Sequence, residues 1–356
     1  MTDINNLADV NLEWEQFLKN PDAPDNDSEL KPNKIEQGDT APESSDIYIS
    51  TKTKIAYLNT EIDLKTAFWN LPVTKYHLLK EGVIKKQMKF SCNTSEQLTD
   101  LQNQCKNEYP IDEFIITQII NPSGRIKFKD VRKISIGLSK KDLLTYRTRK
   151  KGAFYNCFVV ILRILWEGVY KEIHMKVFNT GKLEIPGIQD DECLEKALVL
   201  LTNILNKALD VTHITFIQEN IQTVLINSNF NCGFYINRDK LLSILKYKYK
   251  INCCYDPCSY PGIQCEFYYD NNKVNQTGCK IDIDNNTRIK VSFMIFRTGS
   301  VLIVGKCTET ILYEIYYFIK NMLHVEYNNI KAVTPKEEKK NNKKKMPRKK
   351  IIYIQR

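Results

Sequence analysis

The chain has little of what chemistry on small molecules requires. It holds four histidines in 356 residues, and no His-x-x-x-His pair, Gly-rich phosphate loop or Ser/His/Asp constellation. Acid–base, metal-assisted and nucleophilic catalysis draw on those groups first. Enzyme activity and a bound cofactor are therefore not expected. No apolar run is long enough to span a bilayer, and no charged segment followed by an apolar one opens the chain as a signal peptide would. An intracellular protein with no membrane partner is expected. Its eleven cysteines then belong to a reducing compartment and read as free thiols. Cys253, Cys254, Cys258, Cys265 and Cys279 cluster in sequence. Only Cys254 and Cys258 approach zinc-ligand spacing, and no second pair completes them. No metal site is expected.

Acidic residues are outnumbered by basic ones outside one segment. Residues 1–46 carry twelve acidic residues against Lys19, Lys31 and Lys34, a net of −9, which leaves +19 on the rest of a chain whose overall charge is +10. A basic folded body suits a polyanion such as nucleic acid; solubility alone is the blander account. The acidic segment, with Pro21, Pro24, Pro32 and Pro42 and few aromatics, reads as disordered apart from a short helix near Leu12–Leu18. The tail Lys336–Lys350 is a basic charge run. It reads as a nuclear localisation signal, a nucleic-acid arm or a solvated end.

One stretch occurs twice. Val177–Leu205 aligns with Ile295–Leu323 without a gap, at a shift of 118 residues. Phe178 pairs with Phe296, Thr180 with Thr298, Gly181 with Gly299, and Leu194 with Leu312. Each copy reads as strand, Thr-Gly turn, strand and long helix. Upstream, Ile62–Leu71 and Ile236–Leu245 each read as a helix entered from an extended run. A unit of strands and helices used twice predicts a pseudo-symmetric α+β protein with both long helices on one side of its sheet. The other face is left open for function.

Two strand patterns mark that open face. In Thr223–Cys232, alternation puts Asn227, Asn229 and Asn231 on one side and Ile226, Ser228, Phe230 and Cys232 on the other. Asparagine is depleted in half-buried strands, so this row points to a polar ligand, or to plain solvation. Before each turn, Ile173, Met175 and Val177 alternate with His174, Lys176 and Phe178. Val291, Phe293 and Ile295 alternate likewise with Ser292, Met294 and Phe296. The uniformly apolar sets belong beneath the helix. Phe178 and Phe296 are therefore expected on the open face, exposed.

Tyr255-Asp256-Pro257-Cys258-Ser259-Tyr260-Pro261-Gly262-Ile263, followed by Met294-Ile295-Phe296-Arg297-Thr298-Gly299-Ser300-Val301-Leu302-Ile303-Val304-Gly305-Lys306, resembles the TATA-box-binding protein family. That family carries Tyr-Glu-Pro-x-x-Phe-Pro-Gly and Ile-Phe-x-Ser-Gly-Lys-x-x-x-Thr-Gly-Ala-Lys at the matching places. The first copy has the second motif as Val177-Phe178-Asn179-Thr180-Gly181-Lys182. The resemblance covers roughly Ile47–Tyr327. Its insertions and its Asn, Lys and Ile content are similar to the versions carried by large cytoplasmic DNA viruses. The sequence does not separate infected-cell cytoplasm, virion and nucleus.

The resemblance implies a saddle: a curved antiparallel sheet whose concave face lies in the DNA minor groove, with helices on the convex face. It implies aromatic wedges between base steps at Phe178, Tyr260 and Phe296. The remaining wedge falls at Phe158, or at Cys157 if Arg163 is aligned with the family's arginine. The strand asparagine that reads the centre of the site falls near Thr51 and Thr53 in the first repeat and near Leu225–Asn227 in the second. Implied partners are double-stranded DNA of an AT-rich promoter, a transcription factor IIB-like protein and RNA polymerase. Three departures stand out. Tyr260 replaces a phenylalanine, and Pro186 and Val304 stand where the family has threonine. The stretch at Cys258 and Ser259 also lacks the acidic and leucine residues that the family offers its IIB partner, which implies a different or co-diverged partner.

The expected organisation is an acidic segment over 1–46, a first repeat over 47–211 with an insertion at about 91–150, a second repeat over 212–330 with an insertion at about 268–288, and a basic tail over 331–356. The expected function is promoter binding and bending in transcription initiation. The competing expectation is a saddle-fold protein-interaction module whose DNA face has decayed. Deleting residues 336–356 is expected to lower non-specific DNA affinity and flatten its salt dependence, measured by anisotropy titration at two salt concentrations. An unchanged slope means the tail stays off DNA.

Overall fold

The computed structural model describes residues 40–144, 154–280 and 288–332. Outside these lie the acidic segment to residue 39 with its expected helix, the basic run over 145–153, part of the expected 268–288 hairpin, and the tail from residue 333. Along the chain the elements are β1 (Tyr48–Tyr57), α1 (Leu64–Asn70), β2 (Gly82–Cys92), α2 (Ser95–Cys105), β3 (Ile111–Ile120), β4 (Phe128–Gly137), α3 (Lys140–Leu144), β5 (Cys157–Trp166), β6 (Val169–Phe178), β7 (Lys182–Ile188) and α4 (Asp191–Leu209). Then follow β8 (Gln222–Asn231), α5 (Arg238–Ser243), β9 (Asn252–Cys254), β10 (Ile263–Asp270), β11 (Arg288–Ile295), β12 (Ser300–Gly305), α6 (Glu309–Val325) and α7 (Tyr327–Ile330). Among the described residues, no helix is long and apolar enough to cross a membrane.

The duplicated turn is built twice by the same bonds. The Gly181 N–H donates to the Phe178 carbonyl and the Gly299 N–H to the Phe296 carbonyl, each at 3.0 Å. Both glycines are left-handed, at φ 76° and 82°. A Cβ at either would strike a backbone carbonyl, Thr60 at 2.4 Å or Phe234 at 2.3 Å, so no other residue fits. The two glycine carbonyls accept from Leu58 and Cys232, and those of Asn179 and Arg297 accept from Ile62 and Ile236. Asp63 then caps α1, Asn237 caps α5, Asp190 caps α4 and Thr308 caps α6. The architecture is the expected α+β one, two repeats of antiparallel sheet with helices.

The chain divides into two compact units, residues 53–222 and, among the described residues, 40–52 with 223–332. The division falls inside β1, because Ile47 and Ile49 pack against the core of the second repeat rather than the first.

In the first unit the strand order is β3-β4-β2-β5-β6-β7-β1. The insertion after Ser91 supplies α2 and extends the sheet beyond β2 with β3 and β4. Phe158, Val160, Leu162 and Ile164 of β5 and Ile173, Met175 and Val177 of β6 pack with Leu194, Leu198, Leu201 and Leu205 of α4. Phe158 is fully buried there, edge-on to Phe68 of α1 at 6.4 Å. That corrects the expected wedge at Phe158: its parity sends it to the helix side. Cys157, one residue earlier, lies opposite Phe178 on the other side.

In the second unit the order is β1-β8-β12-β11-β10-β9. Ile226 and Phe230 of β8, Phe267 of β10, Phe293 and Ile295 of β11 and Val301 and Ile303 of β12 meet Leu312, Ile315, Ile319 and Leu323 of α6. In each unit a β1 lysine reaches the first residue of the long helix: Lys54 to Asp191 at 2.7 Å, and Lys52 to Glu309 at 2.6 Å.

Truncating the buried ring, Phe158→Ala, is expected to cost about 3–5 kcal/mol of stability. Phe178→Ala, on a half-buried ring, should cost clearly less. Denaturant unfolding of both variants measures the difference, and equal losses would mean that the two rings share one environment.

Candidate nucleic-acid interface

Each unit leaves the sheet face opposite its helices to be covered by other means. In the second unit, Asn231, Asn229 and Asn227 of β8 stand opposite Ser300, Leu302 and Val304 of β12. Leu302 and Val304 stand opposite Met294 and Ser292 of β11, and these opposite Gln264 and Glu266 of β10. The face is thus a row of amides, then small apolar side chains, then polar groups at the outer strands.

The three asparagines are not equivalent. Asn227 donates to the Thr51 hydroxyl at 3.1 Å, which brings two expected site residues together. The Asn231 side-chain oxygen Oδ1 accepts from Gly233 N–H at 2.7 Å, and its side-chain nitrogen lies 3.4 Å from the Thr298 carbonyl and the Ser300 hydroxyl. Asn231 therefore holds the turn. Asn229 is only 9% exposed, beside Leu302, and its side chain makes no hydrogen bond to any described residue. Its amide atoms are not among the side-chain atoms buried without a partner, so they reach solvent. Thr53 is half-buried on the first unit's side of β1, on the face opposite Lys54 and Ala56.

Tyr260 and Phe296 meet at one end of this face, ring centroids 5.8 Å apart. Phe296 is on the open face as its parity requires and is not part of the core under α6. It is nevertheless 1% exposed, which corrects the expectation of an exposed ring. The cover is the Tyr260–Gly262 stretch, and glycine permits it: a Cβ at Gly262 would sit 3.1 Å from the Phe296 ring and 3.2 Å from that of Tyr260. Asp256 turns the loop by accepting from Cys258 N–H through its carboxylate and from Tyr260 N–H through its carbonyl. Buried Arg238 of α5 braces it, donating to the Pro261 carbonyl with its guanidinium over the Tyr255 ring. At the outer edge, Lys290, Tyr268 and Asn252 all donate to Glu266. The lysine bond foremost holds the Glu266 carboxyl down at about 2.

The open face of the first unit is half covered. Arg163 pairs across with Glu172, Ile161 with His174, Val159 with Lys176 and Cys157 with Phe178. Arg163 is 4% exposed because its guanidinium donates to the carbonyls of Tyr76 and Leu78 and lies 4.4 Å from the Tyr76 ring. The next row is covered by α3. Asp142 accepts from Lys85 at 2.8 Å and from Ser139, and the Lys140 N–H meets the Glu172 carboxylate at 3.0 Å. Beneath it Ile161 is buried and His174 half-buried. Burial holds the His174 imidazole below its ordinary 6.5, among the charges of Glu172, Lys141, Lys85 and Asp142.

The far end of the same face carries rings and lysines. Phe178 is half-buried, with Lys182 Nζ 5.7 Å from its centroid. Phe154 and Tyr155, which no motif in the sequence marks, lie over Lys176 and Lys89 and are tied to the end of β6 where Asn179 N–H donates to the Asn156 carbonyl. The signal that could have found them is an aromatic pair directly after the basic run at 145–151.

No protein-family model matches the chain. The chain is similar to a TATA-box-binding protein-like protein of Acanthamoeba polyphaga mimivirus, 27% identical over 209 residues, covering 55% of each chain. It thus spans about half the length of that curated relative. Among solved structures it is similar to Methanococcus jannaschii TBP, with 15% identity and a TM-score of 0.38 over 79% of this chain and 98% of that one. At that level the likeness is too loose to build on.

Because His174 resists protonation when folded, the unfolded chain takes up its proton first as pH falls. Stability is therefore full above the unfolded value near 6.5 and is lost as pH drops below it toward the folded value. The melting temperature should fall more steeply between about pH 7 and about pH 5 in the wild type than in His174→Asn. Parallel curves would show that the imidazole charges without cost.

Proposed function

We propose that this protein binds duplex DNA through the open faces of its two repeats, preferring AT-rich sequence, and acts in transcription initiation. The observation that carries the reading is Asn229, whose side-chain amide reaches solvent without a hydrogen-bond partner among the described residues, flanked by Leu302 on the sheet face opposite α6. The minor groove offers acceptors at every A·T pair and a protruding donor at G·C. An amide set among small apolar side chains matches that pattern, and the basic body outside the first 46 residues supplies attraction to phosphate. The family resemblance and the similarity to the mimivirus protein support the same reading. By that resemblance alone, the protein bends its site through aromatic contacts and recruits a IIB-like factor and RNA polymerase.

A second reading is a protein-interaction module. It is favoured by the cover that Tyr76, Leu78 and α3 lay over half of the first unit's open face. Binding to AT-rich and GC-rich duplexes at two salt concentrations separates the two. The DNA reading requires tighter binding to AT-rich duplex and an affinity that falls with salt; no binding at low salt supports the second. Within the DNA reading, Asn229→Ala and Asn227→Ala should each weaken AT-rich binding by about 1–3 kcal/mol. Equal losses on AT-rich and GC-rich duplexes would show that neither amide reads bases.

A further inference from the structure

We propose that Phe154 and Tyr155 form a base-stacking platform on the first unit, holding an unstacked base step of duplex DNA against their rings, with Lys89 beside them for the phosphate. The inference rests on the DNA-binding reading above and goes beyond it by naming residues that neither the sequence motifs nor the relatives point to.

The two rings are 65% and 61% exposed, among the largest apolar exposures in the unit. They are not loose. Asn156 is left-handed at φ 57°, which reverses the chain just before β5 and lifts the preceding pair over the sheet. The Asn179 N–H bond to the Asn156 carbonyl, 3.2 Å, fixes that reversal to the end of β6. Lys89 Nζ then lies 3.3 Å from the Tyr155 centroid, and Lys176 Nζ, which is ion-paired with Glu184, lies 4.9 Å from that of Phe154. Both lysines rise from the open face: Lys89 stands opposite Lys133 on β4, and Lys176 opposite Val159.

Folding does not explain this placement. Phe154 and Tyr155 lie outside the core that takes Phe158, and exposed cation–π pairs contribute little by themselves. Exposed rings fixed over a sheet beside a basic group are instead the kind of platform on which proteins stack unpaired bases of single strands, and an unstacked step of a duplex presents the same π-face. The position is also apt. Cys157, which shares the row with Phe178, is too small to stack on a base, and the rings two and three residues earlier overhang that row. Every base has a π-face, so such a platform adds affinity without regard to sequence. That separates its role from the sequence-reading role given to Asn229.

The test uses the full chain and duplexes carrying 2-aminopurine, whose fluorescence rises on unstacking. Phe154→Ala and Tyr155→Ala are each expected to melt close to the wild type, because the rings are exposed. Each should bind roughly 5- to 100-fold more weakly, to a similar degree on AT-rich and GC-rich duplexes, with loss of the 2-aminopurine signal. Phe154→Tyr and Tyr155→Phe keep a ring and should behave as the wild type. If the wild type binds and both alanine variants bind and unstack within about twofold of it, the platform is wrong and the DNA-binding reading stands. If the wild type binds no duplex, both are wrong. A loss confined to AT-rich duplex also overturns the platform, since it makes the rings sequence readers.

Discussion

In each repeat, alternate side chains of several strands are buried on the side of one long helix, and the rest of the structure depends on that burial. The apolar surface removed from water by Leu194, Leu198 and Leu201 in the first unit, or Leu312, Ile315 and Ile319 in the second, fixes which residues of the sheet face inward. Register follows, since a slip of one residue would send the whole set to water. The outward set is then free of any folding duty to be apolar. Where it carries amides, lysines and rings, these are there for another purpose or need a cover of their own.

Both solutions occur in one chain. The second unit keeps Asn227 and Asn231 partly exposed and folds Phe296 away, under a loop that a glycine allows to close. The first unit spends the end of its insertion on cover, bringing Ser139 and Asp142 down onto Lys85. Burial pushes the Asp142 carboxyl up, but the bonds from Lys85 and Ser139 outweigh it and hold the group below its usual value.

The repeat, the long helices and the asparagine row were legible in the sequence because each rests on a local rule: a Thr-Gly turn, apolar residues at helical spacing, a period of two. What was not legible depends on segments distant in sequence. Phe158-Val159-Val160-Ile161 is apolar on both sides, so parity alone could not place Phe158. The reason is that Ile161, on the open face, lies under the α3 segment. Phe296 looked exposed because its cover comes from Tyr260. Asn231 looked like a reader because nothing local announces that its oxygen accepts from Gly233.

The unequal covering of the two open faces bears on direction. A protein with two matching halves has no means of distinguishing upstream from downstream on a duplex. Here one half offers an unpartnered amide beside Leu302 and the other offers exposed rings and lysines beside a strapped-down patch. On the proposed reading, the two halves would make different contacts with a duplex, so exchanging them would not leave the complex unchanged, and the protein would carry a polarity that its repeat alone does not give it.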